Sequence, residues 1–195
     1  PMVICVDQEG GRVNRFAEPF THFPSPFVLG KVSDPNLVFE VGLAAAKELS
    51  AAGINTNLAP VLDLRTNRKN QVIADRSFGE DPEVVSLMGN AYIKGLKAGE
   101  VLSVAKHFPG HGDTIEDSHF LVPVSDQSKE LLNIRELIPF RKAALNGVDA
   151  IMTSHVLYPK VDGLHPATFS QIIIRKMLRE GCSFTGPVIS DDLLM

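Results

Sequence analysis

Apolar segments typical of buried strands alternate along the whole chain with amphipathic segments typical of helices. The strands are predicted at residues 2–6, 55–62, 101–106, 150–153 and 187–190. The helices are predicted at residues 35–52, 82–98, 129–146 and 170–179. Strands that alternate with helices indicate a parallel sheet with crossover helices, and almost continuously apolar strands indicate that both faces of the sheet are buried.

Residues that start or stop helices mark the predicted boundaries. Asp34 and Asp81 each precede a proline, which places an N-cap side chain directly before a first-turn proline. Glycines follow the predicted helices, where a left-handed C-cap is easiest to form. These glycines are Gly53, Gly99, Gly147 and Gly181.

Polar residues follow each predicted strand at one end only. A (β/α)8 barrel builds its active site from residues at the carboxyl ends of its strands. An open doubly wound sheet also binds ligands there, but at a single switch point, and no glycine-rich phosphate motif follows the first strand. We therefore predict an α/β fold of the (β/α)8 TIM-barrel type. With five predicted strands it is incomplete, and residues 1–195 form a single domain.

Composition excludes several classes of partner. The apolar fraction of 44% and the charged fraction of 22% are ordinary for a globular protein with a sizeable core. The formal net charge of −4, without a Lys/Arg-rich block, argues against nucleic acid, and no apolar run is long enough for a membrane span. Cys5 and Cys182 are both predicted to be buried free thiols.

Residues 106–112, Lys-His-Phe-Pro-Gly-His-Gly, followed shortly by Asp117 and His119, form the segment richest in chemically active groups. Its glycines and proline indicate a shaped loop after a strand. A carboxylate so near His119 is expected to orient the imidazole and raise its pKa, which suits a general acid/base, although a surface loop would explain the same residues. A metal site is the alternative, but His107 and His111 do not share a helical face, and zinc needs further ligands.

Other candidates lie in the remaining strand-end loops. Asp191 and Asp192 follow a buried strand, where burying a carboxylate pair is costly unless the pair is bonded to partners or serves a function. Either residue is a candidate nucleophile or electrostatic stabiliser, with helix capping and a salt bridge as the alternative. Aspartate accepts hydrogen bonds from sugar hydroxyls and arginine donates them, although surface ion pairs would explain the same residues. This second group comprises Asp7, Arg12, Arg15 and Arg76.

Several of these segments together resemble family 3 glycoside hydrolases of the bacterial β-N-acetylglucosaminidase type, which act in peptidoglycan recycling. The resemblance extends through nearly the whole chain. It is most specific in residues 106–112 with Asp117-Ser118-His119. The other matching segments, in the same order, are residues 6–13, 59–63, 76–79 and 190–193.

The resemblance implies a retaining β-N-acetylhexosaminidase that removes terminal β-linked N-acetylglucosamine from cell-wall fragments. It assigns Asp191 as the nucleophile, His119 as the acid/base and Asp117 as the partner of His119. It implies no metal and no organic cofactor. The sugar-binding positions that it implies are Asp7, Arg15, Arg76, Lys106 and His107.

Two kinds of alternative remain at this point. One is a β-glucosidase, β-xylosidase or glycosyl phosphorylase of the same superfamily, and the other is a non-catalytic sugar-binding fragment. Members of the family have a first strand that would precede Pro1 and further chain after residues 190–192, and both are expected to be missing here. The expected partner is carbohydrate, without nucleic acid or membrane, and we expect a cytoplasmic monomer.

Overall fold

A computed structural model of the protein describes residues 2–114 and 122–194. In this part of the chain five parallel strands follow one another across one sheet in sequence order. They are β1 (Cys5–Val6), β2 (Thr56–Asn57), β3 (Leu102–Phe108), β4 (Ala150–Thr153) and β5 (Val188–Ser190). Sequential parallel strands joined by helices form a half-barrel, which agrees with the predicted TIM-barrel type.

The helices connect consecutive strands and cover the sheet. The α-helices are α1 (Pro26–Val32), α2 (Pro35–Ala51), α3 (Pro82–Ala98), α4 (Lys129–Leu131) and α5 (Leu137–Leu145). Two segments are wound as π-helix, Leu132–Glu136 and Ile172–Gly181, and two are short 3-10 turns, Ala74–Arg76 and Ala167–Phe169. Among the described residues, no helix has the length and apolar character needed to cross a membrane.

The predicted caps are confirmed at the starts of two helices. The side chains of Asp34 and Asp81 each accept a first-turn backbone N–H, at 2.9 and 2.7 Å. At the helix ends, Gly53 and Gly147 have φ values of +80° and +77°, as a left-handed C-cap requires. The same prediction is wrong for Gly99, which has φ −95°, because the following Glu100 takes the positive φ of 63° instead. It is also wrong for Gly181, which is the last residue of a π-helical segment.

Apolar side chains from the helices pack between sheet and surface. In α3 the buried residues Val85, Met88, Tyr92 and Leu96 recur every three or four positions, so they lie on one face of the helix. Phe108 at the end of β3 packs edge-to-face on Phe140 of α5, with ring centroids 5.2 Å apart. This contact fixes the end of the strand that carries the histidine segment.

The predicted helix over residues 129–146 is interrupted by the π-helical turn Leu132–Glu136. Pro139 explains the interruption, since proline has no N–H to donate and its ring conflicts with the carbonyl four residues earlier. The cysteine prediction is confirmed for Cys182, which is buried, and wrong for Cys5, which is exposed on β1.

Candidate active site

The carboxyl ends of the strands bring most of the predicted site residues together. Asp7 follows β1, Lys106 and His107 belong to β3, and Asp191 follows β5. Arg76 enters from the 3-10 turn Ala74–Arg76, in the connection between β2 and α3. Direct contacts join these five residues, either to one another or through shared carboxylates.

Lys106 is a buried cation held between two carboxylates. Its side chain is 2% exposed, and Nζ lies 2.6 Å from Oδ1 of Asp7 and 2.6 Å from Oε1 of Glu9. A buried ammonium group is tolerated only when it is paired in this way. Because the pairing uses Oδ1 of Asp7, whose side chain is 32% exposed, the carboxylate of Asp7 keeps an open side for a ligand.

Glu9 also pairs with Arg76 through two hydrogen bonds. Nε of Arg76 donates to Oε2 of Glu9 at 2.8 Å, and a terminal nitrogen donates to Oε1 at 2.9 Å. Burial opposes ionisation of Glu9, but the positive charges of Lys106 and Arg76 outweigh it and lower the pKa of Glu9 to about 2. Glu9 is therefore an anion that holds both cations at the edge of the site.

Asp63 fixes the ring of His107. The side chain of Asp63 is fully buried, and Oδ2 lies 2.6 Å from Nδ1 of His107. Its other oxygen, Oδ1, accepts the backbone N–H of His111 at 2.7 Å. Although burial favours the neutral acid, His107 and His111 lower the pKa of Asp63 below its usual value. A carboxylate on Nδ1 directs the other ring nitrogen, Nε2, into the site.

Nε2 of His107 faces two groups that could act on a ligand. It lies 3.8 Å from Oδ2 of Asp191 and 3.4 Å from a terminal nitrogen of Arg76. Asp191 is held by its backbone, whose N–H donates to the carbonyl of Thr153 on β4 at 3.3 Å. Its side chain is 25% exposed, so this carboxylate is accessible from outside the cluster.

His111 and Gly112, the described residues that end the histidine segment, have structural roles. His111 is buried, its ring lies edge-on to that of His107, and burial together with His107 lowers the pKa of His111 to about 4. His111 is therefore neutral near neutral pH and is a poor candidate for a proton donor. Gly112 packs so closely on Leu64 that a Cβ there would overlap the Leu64 carbonyl oxygen.

Three other candidates lie at the margin of the cluster or outside it. The side chain of Arg15 is 60% exposed, and its closest approach to Asp7 is 3.9 Å. Arg12 instead pairs with Asp75 at 2.8 Å and donates to two carbonyls of the same loop, so it stabilises that loop. Asp192 accepts the backbone N–H of Leu194 at 2.9 Å, which is a local turn contact.

The predicted acid/base pair, His119 and Asp117, lies outside the described residues. The described chain stops at Thr114 and resumes at Val122. His119 and Asp117 therefore stay predictions from sequence.

Glu9 and Asp63 are the site residues that sequence reasoning missed. Each belongs to a matching segment, residues 6–13 and residues 59–63, but neither was assigned a role. The available signal was an acidic residue at the end of an apolar strand, which is costly to bury without a cationic partner.

The described residues contain no cluster of three or more His, Cys, Asp or Glu side chains arranged to hold a metal ion. His107 has one ring nitrogen engaged with Asp63, and its Nε2 faces the partly exposed carboxylate of Asp191. What this geometry offers is a reachable carboxylate next to fixed hydrogen-bonding groups.

Comparison with known proteins assigns the arrangement to a family. The family model described as "Glycosyl hydrolase family 3 N terminal domain" matches residues 1–195. A protein named beta-hexosaminidase from Nitrosospira multiformis is 42% identical over 201 residues, covering 100% of this chain and 57% of that protein. The chain thus spans about half the length of the curated relatives it matches.

Solved structures give the same result. A family 3 β-N-acetylglucosaminidase from Paenibacillus sp. superposes with a TM-score of 0.97 at 43% identity, covering 100% of this chain and 37% of that one. NagZ from Neisseria gonorrhoeae, solved in complex with N-trifluoroacetyl-D-glucosamine, superposes with a TM-score of 0.92 at 43% identity, covering 98% of this chain and 58% of that one.

Proposed function

The chain belongs to glycosyl hydrolase family 3, and we propose that it carries the catalytic residues of a retaining β-N-acetylhexosaminidase. The observation that carries the proposal is the position of Asp191 beside His107 and the buried carboxylates. Glu9 and Asp63 are buried and engaged by cations or by histidines, and Asp7 is neutralised by Lys106 at 2.6 Å. Asp191 is partly exposed and lies 3.8 Å from His107, so it is the carboxylate best placed to attack a substrate.

The proposed reaction is a double displacement. An oxygen of Asp191 attacks the anomeric carbon while His119, oriented by Asp117, gives a proton to the leaving oxygen, and a glycosyl ester forms on Asp191. Water then attacks the anomeric carbon, His119 takes the proton from that water, and the ester bond breaks to regenerate the carboxylate. The histidine replaces the carboxylic acid that most retaining glycosidases use.

The proposed sugar-binding groups supply hydrogen bonds of both polarities. Asp7 accepts from sugar hydroxyls through the open side of its carboxylate, and Lys106, Arg76 and Arg15 donate. His107 offers Nε2, whose orientation follows from the contact between Nδ1 and Asp63. Because these groups are mostly paired before a sugar arrives, little ordering is needed when it binds.

The substrate and setting are part of the same proposal. The relatives named beta-hexosaminidase, together with the similar structure of a β-N-acetylglucosaminidase, support terminal β-linked N-acetylglucosamine as the sugar removed. Peptidoglycan fragments as the source of that sugar, a cytoplasmic location, a monomeric state and a single catalytic domain over residues 1–195 are further parts of the proposal. It includes no metal and no organic cofactor.

Trapping of the covalent intermediate tests the nucleophile directly. The natural gene product is incubated with an activated fluorosugar of N-acetylglucosamine type, and the labelled peptide is identified by mass spectrometry. We expect the adduct on Asp191 and none in the Asp191→Ala variant, with Asp192→Ala as the matched control that still forms it. An adduct on any other residue would contradict the assignment.

Transfer to phosphate instead of water is the alternative outcome within the same fold. Two cations of the cluster, Lys106 and Arg76, are already paired with carboxylates, which disfavours a phosphate ion next to them. We therefore expect equal turnover in phosphate and in a non-phosphate buffer, with the free sugar as the product. Accumulation of a sugar 1-phosphate would show a phosphorylase instead, and binding without turnover would show a sugar-binding protein.

A further inference from the structure

Glu136 carries a buried carboxyl group that packs behind the histidine segment. The proposed reaction does not use this group. Glu136 is the last residue of the π-helical turn Leu132–Glu136 and is 2% exposed. Its Oε1 accepts hydrogen bonds from Nε2 of Gln127 at 2.9 Å and from Nε of Arg135 at 2.8 Å. One oxygen of the carboxyl group is therefore fully occupied by donors.

The other oxygen, Oε2, is buried and has no hydrogen-bond partner within the part of the chain that the structure describes. It points at Gly110, because a Cβ built on Gly110 would lie 3.4 Å from Oε2 and 3.3 Å from Cβ of Glu136. Gly110 also has φ +143°, which other residues rarely adopt. The Glu136 side chain and the Gly110 backbone are thus packed directly against each other.

The peptide unit between Gly110 and His111 is held on both sides. Its carbonyl oxygen accepts the hydroxyl of Tyr158, which is fully buried. Its N–H donates to Oδ1 of Asp63 at 2.7 Å, and Asp63 in turn holds Nδ1 of His107 at 2.6 Å. A continuous series of contacts therefore runs from Glu136 through this peptide unit to the ring of His107.

We propose that Glu136 is a positioning residue of the sugar site, which seats the Gly110–His111 peptide unit so that Asp63 can hold the ring of His107 in its orientation. The inference rests on the proposed glycosidase function. Glu136 itself does not contact the sugar in this proposal, and its effect is transmitted through the backbone. Misplacing a binding group by about 1 Å in this way costs on the order of 100-fold in rate.

Ionisation of Glu136 would give this role a pH signature. Burial raises the pKa of Glu136, and the nearby negative charge of Asp63 adds to the effect, while Arg135 and Gln127 oppose it. Among the described residues, Tyr158 also faces Glu136, and burial together with Glu136 raises the pKa of Tyr158. Ionisation places a charge on Oε2 where the described residues supply no donor, so it loosens the packing on Gly110.

The test compares Glu136→Gln and Glu136→Ala in the natural gene product. Glutamine keeps the shape and the acceptor oxygen but cannot ionise, whereas alanine leaves a space behind Gly110. Met177→Ala is the control for a simple loss of stability, because Met177 is as buried, at 2%, but lies in the segment Ile172–Gly181. All measurements are made at a temperature at which circular dichroism shows every variant folded.

For Glu136→Ala we expect kcat/KM on a chromogenic N-acetylglucosaminide to fall on the order of 100-fold. For Glu136→Gln we expect kcat/KM within about threefold of the parent at mildly acidic pH, with a flatter decline on the alkaline side, since small positional changes are all that remain. Met177→Ala is expected to unfold at lower temperature but to keep the parent kcat/KM. Parent-like kcat/KM in Glu136→Ala, a glutamine variant as impaired as alanine, or an equal loss in Met177→Ala would each overturn the inference.

A nitrogen-15 NMR measurement of the His107 ring keeps the inference testable apart from activity. The ring signals report which nitrogen carries the proton, and we expect them to change in Glu136→Ala and to stay at the parent position in Met177→Ala. A parent enzyme without hydrolytic activity would overturn the proposed function, while the NMR comparison would still decide the positioning role. Unchanged His107 signals in Glu136→Ala would overturn that role.

Discussion

Nδ1 of His107 lies 2.6 Å from Oδ2 of Asp63, and both side chains are buried. This contact fixes which ring nitrogen carries a proton toward Asp63 and leaves Nε2 for the site. Asp63→Asn keeps the shape but offers an amide that can donate to Nδ1, so the ring changes tautomer. We expect kcat to fall on the order of 100-fold, because misplacing a group that positions the substrate by about 1 Å costs that much in rate.

The control for this prediction is Asp75→Asn, the same change at a residue with a 41% exposed side chain that pairs with Arg12. That variant should keep activity close to the parent. Steady-state kinetics on a chromogenic N-acetylglucosaminide decides the matter, and an Asp63→Asn enzyme with parental kcat would show that His107 does not depend on this carboxylate.

The pairing of Glu9 with Arg76 and Lys106 should dominate the stability of the site. Glu9→Gln leaves two cations with fewer partners, and breaking a buried pair in this way costs about 3–5 kcal/mol. We expect urea unfolding of Glu9→Gln to show a loss of this size. Glu80→Gln removes the partner of the exposed Arg68 and should cost about 0–1 kcal/mol. Equal losses in the two variants would argue against a special role for Glu9.

The stability contribution of Glu9 should also depend on pH. Its pKa is lowered from 4.5 to about 2, so its contribution is fully present above the unfolded value of 4.5. The contribution is lost as pH falls from 4.5 toward 2. Glu9→Gln should therefore show a shallower loss of stability than the parent in this range.

His111 should make stability depend on pH in a second, separate range. Its pKa is lowered from 6.5 to about 4, so the unfolded chain binds a proton in this range that the folded chain does not. The contribution of neutral His111 to stability is therefore fully present above pH 6.5. It decreases as pH falls toward 4, by up to about 1.4 kcal/mol per pH unit.

Urea unfolding of His111→Gln at several pH values checks this expectation. The variant should lose stability less steeply than the parent across that range. The matched control is His165→Gln, the same change at a histidine whose side chain is 55% exposed. A His111→Gln variant with the parental slope would show that another group titrates there.

His119→Ala should separate substrates by their leaving groups. Without an acid, departure of a poorly leaving alcohol slows greatly, whereas a good leaving group such as dinitrophenolate needs little protonation. We expect kcat/KM to fall by about 10²- to 10⁴-fold on the natural type of glycoside, and far less on the activated one. Hydrolysis of the natural glycoside at the parental rate would exclude His119 as the acid/base.

Some elements could be predicted from sequence down to their bounds. Helix Pro82–Ala98 and strand Ala150–Thr153 have the predicted limits, because a capping aspartate with proline marks the first and a short apolar run the second. The predicted strand 55–62 shortens to Thr56–Asn57, since Pro60 cannot donate to a neighbouring strand. Helix Pro26–Val32 was missed, although Ser25 before Pro26 carries the same kind of cap signal as Asp34.

Site residues could be predicted from sequence where the residue type and its motif indicate a chemical role. Lys106 and His107 were assigned because residues 106–112 form a specific motif, and Asp191 because it follows a predicted buried strand and matches the family. The structure places all three at one edge of the sheet. Glu9 and Asp63 were not assigned a role, and their partners are 67 and 44 positions away in sequence. Such pairings exist only after the strands are in register, so spacing along the chain carries no sign of them.

The two carboxylates around Lys106 have a consequence for how this family diverges. Asp7 and Glu9 balance the charges of Lys106 and Arg76, so removing one member leaves an unmatched charge in a dry environment. A mutation at one of these positions would therefore be purged unless a second mutation had already altered its counterpart. Across related sequences, acids and bases at this corner of the barrel should appear or disappear together.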